Sequence, residues 1–128
     1  MDSSFLRAAT MLTPATLDAL LQFRRERDWE QFHNFRSLAI SLSLETAELL
    51  EHVQWARDDE MEAAVKQDGA VRPEVAEEIA DIAMYLSLLV HDLGLDLDAA
   101  VQRKLEINRQ RYPVGRAKGK SSKYDKLD

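Results

Sequence analysis

Six apolar residues, Val75, Ile79, Ile82, Leu86, Leu89 and Leu93, follow one another at spacings of 4, 3, 4, 3 and 4. That rhythm puts them in one line along an α-helix, and such a line needs other helices to cover it. Pro73 and Gly94 bracket the segment as a first-turn proline and a C-terminal glycine. A second stretch, from about Ser37 to Trp55, is apolar around most of its circumference through Leu38, Ala39, Ile40, Leu42, Leu44, Ala47, Leu49, Leu50 and Val53. A helix of that kind is buried on more than one side. A lone bundle of 128 residues has few such places, so the pattern predicts self-association through these two helices, as a homodimer at least.

Punctuation elsewhere supplies the remaining helices. Thr13-Pro14 reads as an N-cap and first helical residue, with Leu17, Leu20 and Leu21 as the apolar face and a fade near Arg27. Residues 28–34 read as a loop, Asp59 to Gln67 as a short helix stopped by Gly69, and Asp96 as the cap of a last helix that Pro113 ends after Tyr112. Four Gly and three Pro are too few for a chain of many short strands. The expectation is an all-α, four-helix-bundle-like fold of about five helices. It forms one domain over residues 1–113, with residues 1–12 flexible and residues 114–128 a basic, disordered tail.

The absence of Cys excludes disulfides, thiolate metal sites and a cysteine nucleophile. Met1 to Met11 has no signal-peptide core, and the richest apolar run, Ile82 to Val90, is far short of the roughly 20 residues a membrane helix needs. The reading is a cytoplasmic protein without membrane contact. Net charge is −6, but Arg116, Lys118, Lys120, Lys123 and Lys126 against Asp125 and Asp128 leave +3 in the tail and −9 before it. So acidic a body argues against a nucleic acid polymer as partner. It allows a phosphate substrate once a bound cation reverses the local field.

Acids sit where apolar residues belong. At 100° per residue, Glu45 falls beside Leu38, Leu42 and Leu49, with Glu48 about 60° away and Ser41 and His52 between them. Glu78 lies about 40° off the Ile82 line, with Asp81 and Tyr85 further round the same flank. Carboxylates beside apolar surface must be protonated, paired or bound to a cation. Three readings follow: solvated or salt-bridged acids, a di-iron carboxylate bundle, or an all-oxygen Mg²⁺ or Mn²⁺ site. The di-iron design wants Glu-x-x-His, whereas this chain has Glu45-x-x-Glu48 and Glu78-x-x-Asp81. Four carboxylates with no adjacent soft ligand favour the oxygen site.

The order of Leu44-Glu45-Thr46-Ala47-Glu48-Leu49-Leu50-Glu51 and Glu77-Glu78-Ile79-Ala80-Asp81-Ile82 resembles the all-α nucleoside triphosphate pyrophosphohydrolases, the MazG-like superfamily. The strings Glu26-Arg27-Asp28-Trp29-Glu30-Gln31-Phe32-His33, Val53-Gln54-Trp55 and Lys104 to Pro113 tighten the likeness to its dCTP pyrophosphatase branch. It covers about residues 14–113, and the string from Glu26 to His33 is its most specific part. The resemblance implies a MazG-type fold, a homotetramer built from two dimers and a Mg²⁺-dependent enzyme; the all-oxygen donors also suit Mn²⁺ as a substitute. Its substrate would be a nucleoside triphosphate, dCTP or a modified dCTP, cleaved to the monophosphate and pyrophosphate in sanitation of the nucleotide pool. It implies Glu45, Glu48, Glu78 and Asp81 as metal ligands, and Trp29, Glu30, Gln31, Phe32, His33, Trp55 and Tyr85 as substrate contacts. Lys104, Asn108, Arg111 and Tyr112 fall where the family's last helix faces the triphosphate. Leu44 stands where many relatives have a second Glu, and Leu20 where mammalian relatives have a substrate-contacting His. Glu48 is the choice for the base that takes a proton from the attacking water. A dUTP-directed or broad-specificity relative, and a non-catalytic nucleotide-binding scaffold, are the alternatives.

Overall fold

A computed structural model describes residues 11–127; the flexibility expected of residues 1–12 falls largely outside them. Five helices carry the architecture: α1 (Pro14–Glu26), α2 (Phe35–Glu51), the short α3 (Met61–Val65), α4 (Pro73–Leu93) and α5 (Leu97–Arg111). A one-turn α6 (Val114–Ala117) follows. The all-α class read from the sequence holds in its coarser form: the fold is mostly helical, with one small two-stranded ribbon.

Local chemistry sets the boundaries. Thr13 caps α1 by accepting from the Thr16 N–H at 3.3 Å, and Asp96 caps α5 through Ala99 at 3.0 Å. Gly94, at φ +61°, closes α4: its N–H reaches the His91 carbonyl and the Leu95 N–H reaches Val90. That is a Schellman closure, and the left-handed conformation is the reason for glycine there.

Three boundaries differ from the sequence reading. The 28–34 segment is not plain loop: Glu30–Phe32 form a 3₁₀ turn, and Asn34 caps α2, whose first residue is Phe35 rather than Ser37. α2 ends at Glu51 and not at Trp55, because the chain turns through Val53 and Ala56. The third helix stops at Val65, and Lys66–Gln67 instead pair antiparallel with Ala70–Val71 in a two-stranded ribbon. Asp68 and Gly69 both have positive φ, +53° and +77°. Two such residues in succession make the tight hairpin turn for which Asp-Gly is a sequence signature.

α2 and α4 form the core of the chain. Leu38 packs on Leu88 and Leu89, with Leu20, Leu21, Leu42 and Tyr85 around them. Nearer the other end of the pair, Glu45 meets Glu78 and Asp81, so the two helices run antiparallel. The line of apolar residues on α4 is only partly covered. Val75 and Leu89 are buried, whereas Ile79 and Leu93 are about half exposed. The part of α4 most enclosed within the chain is the turn Ser87 to Val90, buried around nearly its whole circumference. Residues 114–127, read as a tail without order, hold α6 and a 3₁₀ turn at Tyr124–Lys126, with Leu127 buried and its carbonyl bonded to Arg116 at 3.0 Å. No helix among the described residues is long and apolar enough to cross a membrane.

Candidate metal centre and substrate segment

The antiparallel packing of α2 on α4 brings three acids from two helices to one point. Glu45, Glu78 and Asp81 each offer a carboxylate oxygen, and the three oxygens lie within 4.8 Å of one another. All three residues are half-buried. One oxygen each of Glu45 and Glu78 is buried without a hydrogen-bond partner. Three anions held this close repel one another, and the Glu45 carboxyl shows it. Burial, then hydrogen bonding with Glu48, then the charges of Glu48, Asp81 and Glu78 raise its pKa from 4.5 to about 7. Glu48, the fourth acid of the expected set, stands beside Glu45 on the exposed side of α2 rather than inside the trio. The His52 Nε2 lies 3.7 Å from the Glu78 Oε1, reaching across from the end of α2.

These donors fit a small hard dication. They are all oxygen, all potentially anionic, contributed by two packed helices, and include two buried oxygens with nothing else to bind. A cation there would satisfy both oxygens and favour the ionised form of Glu45. Nothing in the trio resembles the Glu-x-x-His ligand set of the di-iron alternative.

The aromatic segment lies at the other level of the molecule. Asp81 and the end of α4 at Asp92 are eleven residues apart, about 16 Å along the helix. Asp28, at φ +54°, ends α1 in a tight turn from which the Trp29 N–H returns to the Arg24 carbonyl at 3.1 Å. Gln31 ties back to Asp28 through both its carbonyl (3.1 Å) and its carboxylate (2.9 Å). Trp29 makes an edge-to-face contact with Phe23 at 5.6 Å and a tilted contact with His33 at 6.3 Å. Phe32 and Trp55 are exposed, Trp55 at 87%. Glu30 pairs loosely with Arg25 at 3.9 Å on the surface.

Other expected contacts are placed less suggestively. Tyr85 packs on the Leu38–Leu88–Leu89 core. Lys104 is exposed and makes no ion pair among the described residues. The Arg111 guanidinium sits 4.6 Å over the Tyr124 ring, and Tyr112 meets the same ring edge-on at 6.2 Å. Asn108 lends its carbonyl to the Tyr112 N–H. No hydrogen bond or ion pair among the described residues joins α5 to the acid trio.

One pair escaped the sequence reading. Arg24, 7% exposed, forms a two-pronged ion pair with Asp92, both N–O distances being 2.9 Å. A signal was available. Leu17, Leu20, Leu21 and Arg24 follow the i, i+3, i+4, i+7 rule of a buried stripe, so a charge occupies a core position.

Comparison with known proteins follows the same lines. The MazG-like family model matches residues 40–127. The dCTP pyrophosphatase 1 of Rattus norvegicus is 42% identical over 106 residues, covering 83% of this chain and 62% of the relative. That of Homo sapiens is 42% identical over 108 residues, with the same coverages. This chain therefore spans about three-fifths of the length of these curated relatives. A crystal structure of a pyrophosphatase from Archaeoglobus fulgidus superposes with a TM-score of 0.71 at 41% identity, over 77% of this chain and 90% of that one.

Proposed function

Because the chain belongs to the MazG-like family, we propose that it is a Mg²⁺-dependent nucleoside triphosphate pyrophosphohydrolase. It acts on dCTP or modified dCTP as a cytoplasmic oligomer that clears the nucleotide pool. The observation that carries the reading is the trio Glu45, Glu78 and Asp81, with its two partnerless buried oxygens. The relatives, dCTP pyrophosphatase 1 and a pyrophosphatase, support the reaction class and the choice of base.

Glu45, Glu78 and Asp81 would hold the ion. When bound, Mg²⁺ supplies charge neutralisation for the triphosphate and alignment of the attacking and leaving oxygens. Glu48 is solvent-facing beside the trio, which suits a carboxylate that accepts the proton of the attacking water. His52, facing Glu78 from the opposite helix, orients that carboxylate. Trp29 and Trp55 offer aromatic faces for a base, and His33 an imidazole beside it. Lys104, exposed on α5, and Asn108 offer donors to phosphate oxygens; Arg111 does so by leaving Tyr124.

The proposed oligomer rests on what the chain leaves uncovered. Ile40, Leu44, Leu50 and Ile79 are each about half exposed, on the two helices whose circumference is most apolar. Single exposed hydrophobes are ordinary, but Ile40 and Leu44 line one groove of α2 with Phe35 and Ala39, and a set of that kind marks an interaction surface.

The deciding experiment measures pyrophosphate release from a panel of triphosphates with and without Mg²⁺. Metal-dependent release, fastest with dCTP or its modified forms, is the expected result. Equal turnover of all triphosphates would replace the dCTP assignment with a broad-specificity enzyme. No metal-dependent turnover of any of them would leave a nucleotide-binding scaffold.

A further inference from the structure

The ion pair between the buried Arg24 and Asp92, whose side chain keeps 30% of its exposure, calls for a reason. Taking a guanidinium out of water is costly, and a well-packed apolar side chain often serves stability as well or better. Arg24 stands in line with Leu17, Leu20 and Leu21, where a leucine would complete the stripe. The guanidinium instead spends two N–H groups on Asp92, in the last turn of α4, and keeps its Nε buried without a partner. What a two-pronged pair provides and an apolar contact does not is a fixed relative orientation of the two backbones.

The contacts that tie Trp29 to α1 gather at Arg24 and its neighbour. The Trp29 N–H bonds to the Arg24 carbonyl, and the ring leans on Phe23, the neighbour of Arg24. Phe23 is itself covered by Arg27, whose guanidinium lies 3.7 Å from the ring centroid. His33 completes the row behind Trp29, with its Nδ1 buried and unpartnered. A rotation of the last turn of α1 would carry hook, aromatic shelf and segment with it. Locking Arg24 to α4 prevents that rotation.

We propose that the Arg24–Asp92 pair is a positioning device: it clamps the last turn of α1 to the last turn of α4 and so sets where Trp29 and His33 meet a nucleobase. The inference rests on the reading of that segment as base-binding. Neither residue is assigned contact with the reacting phosphates. The environment of His33 is consistent with an uncharged ligand there. Burial first, and then the positive charge of Arg24, hold its pKa below the ordinary value, with Asp92 opposing. The imidazole is therefore neutral at pH 7, matched to an uncharged base edge rather than to phosphate.

Two measurements on the 128-residue chain test this. Replacing Trp55 with Phe leaves Trp29 as the sole tryptophan, so its emission and acrylamide quenching report the segment directly, with no reaction needed. In that background the double variant R24M/D92L swaps the charges for apolar volume, and Arg24→Lys keeps the charge but loses the fork. The expected result for R24M/D92L is near-native thermal stability with clearly greater quenching of Trp29. Arg24→Lys, which decides the matter if the double variant does not fold, should shift quenching in the same direction. With Trp55 intact, R24M/D92L should raise the KM for dCTP about tenfold, change kcat little and flatten the preference among bases. Unchanged quenching and KM in a folded R24M/D92L would overturn the proposal and leave the pair as packing. A fall in kcat at constant KM would overturn it too, by placing the pair in the chemistry. A wild-type chain that turned over no triphosphate would sink the enzymatic reading, while quenching still decided whether the pair holds the segment.

Discussion

Glu45 answers to two opposed demands, ionisation to bind a cation and neutrality among its neighbours, and this makes its titration informative. In the unfolded chain its carboxyl ionises near 4.5, whereas in the folded, metal-free chain it keeps its proton to about 7. Between those values the folded state binds more protons than the unfolded one, so stability falls as pH rises. The contribution is fully present below about 4.5 and is lost by the time pH passes 7. Thermal unfolding of chelator-treated protein should therefore show a decline across this window that Glu45→Gln removes. Identical pH profiles for the two proteins would contradict the crowding described above. Mg²⁺ needs the ionised form, so its affinity should rise through the same window. Glu45→Gln, Glu78→Gln and Asp81→Asn should each lower turnover about a hundredfold or more for every triphosphate, because charge neutralisation is common to all of them. Glu48→Asn or Gln should lower kcat while leaving metal affinity closer to native. Trp29→Ala and Trp55→Ala should act on KM instead: stacking worth ~1–3 kcal/mol corresponds to roughly 5- to 150-fold, with reordered base preference. An acid variant that altered base ranking alone would show that the two halves of the site are assigned the wrong way round.

Among the elements, α2 carries Glu45 and Glu48, and its start depends on one side chain. Asn34 accepts from both the backbone N–H and the hydroxyl of Ser37 at 2.9 Å. Asn34→Ala should cost about 1 kcal/mol, with Asn34→Asp retaining most of it, as read by chemical denaturation. A loss well under half that would mean the Trp29–His33 segment, and not the cap, fixes where the helix begins. The elements also show what could be read from residue order. Pro73, Gly94, Asp96 and Pro113 gave the limits of α4 and α5 because caps and breakers act locally, within a turn. The hairpin at Asp68-Gly69 was legible by the same kind of rule, but the apolar spacing before it pointed to helix. The end of α2 was not legible, since apolar residues continue to Val53 while the backbone already turns. At the site, helix geometry alone placed Glu45, Glu78 and Asp81 on inward flanks. Their convergence depends on the antiparallel register of α2 and α4, which no local rule supplies. Arg24 and Asp92 lie 68 residues apart, and only the packed structure makes them a pair.

For the molecule as a whole, the faces that α2 and α4 do not bury in each other predict assembly. Within one chain the buried apolar set is small: Leu17, Leu38, Val75, Leu88, Leu89, Val90 and Leu127 among the described residues. Against it stand Phe35, Ile40 and Leu44, each more than half exposed, along a shallow groove that also includes Ala39 and Ser43. The groove spans the half of α2 before Glu45, so a second chain seated there would stiffen the helix that presents the acids. Burying a single leucine or isoleucine is worth ~1.5–3 kcal/mol, and a dimer gains each contact twice by symmetry. Sedimentation at micromolar concentration should accordingly find no stable folded monomer, and the melting temperature should rise with protein concentration. Ile40→Asp and Leu44→Lys lie outside the acid trio and put a charge into the groove. Each should shift the distribution toward smaller species and abolish the concentration dependence, with lower turnover following from the looser α2. A monodisperse, fully active wild-type monomer would refute the assembly and show that one copy of α2 on α4 holds the site unaided.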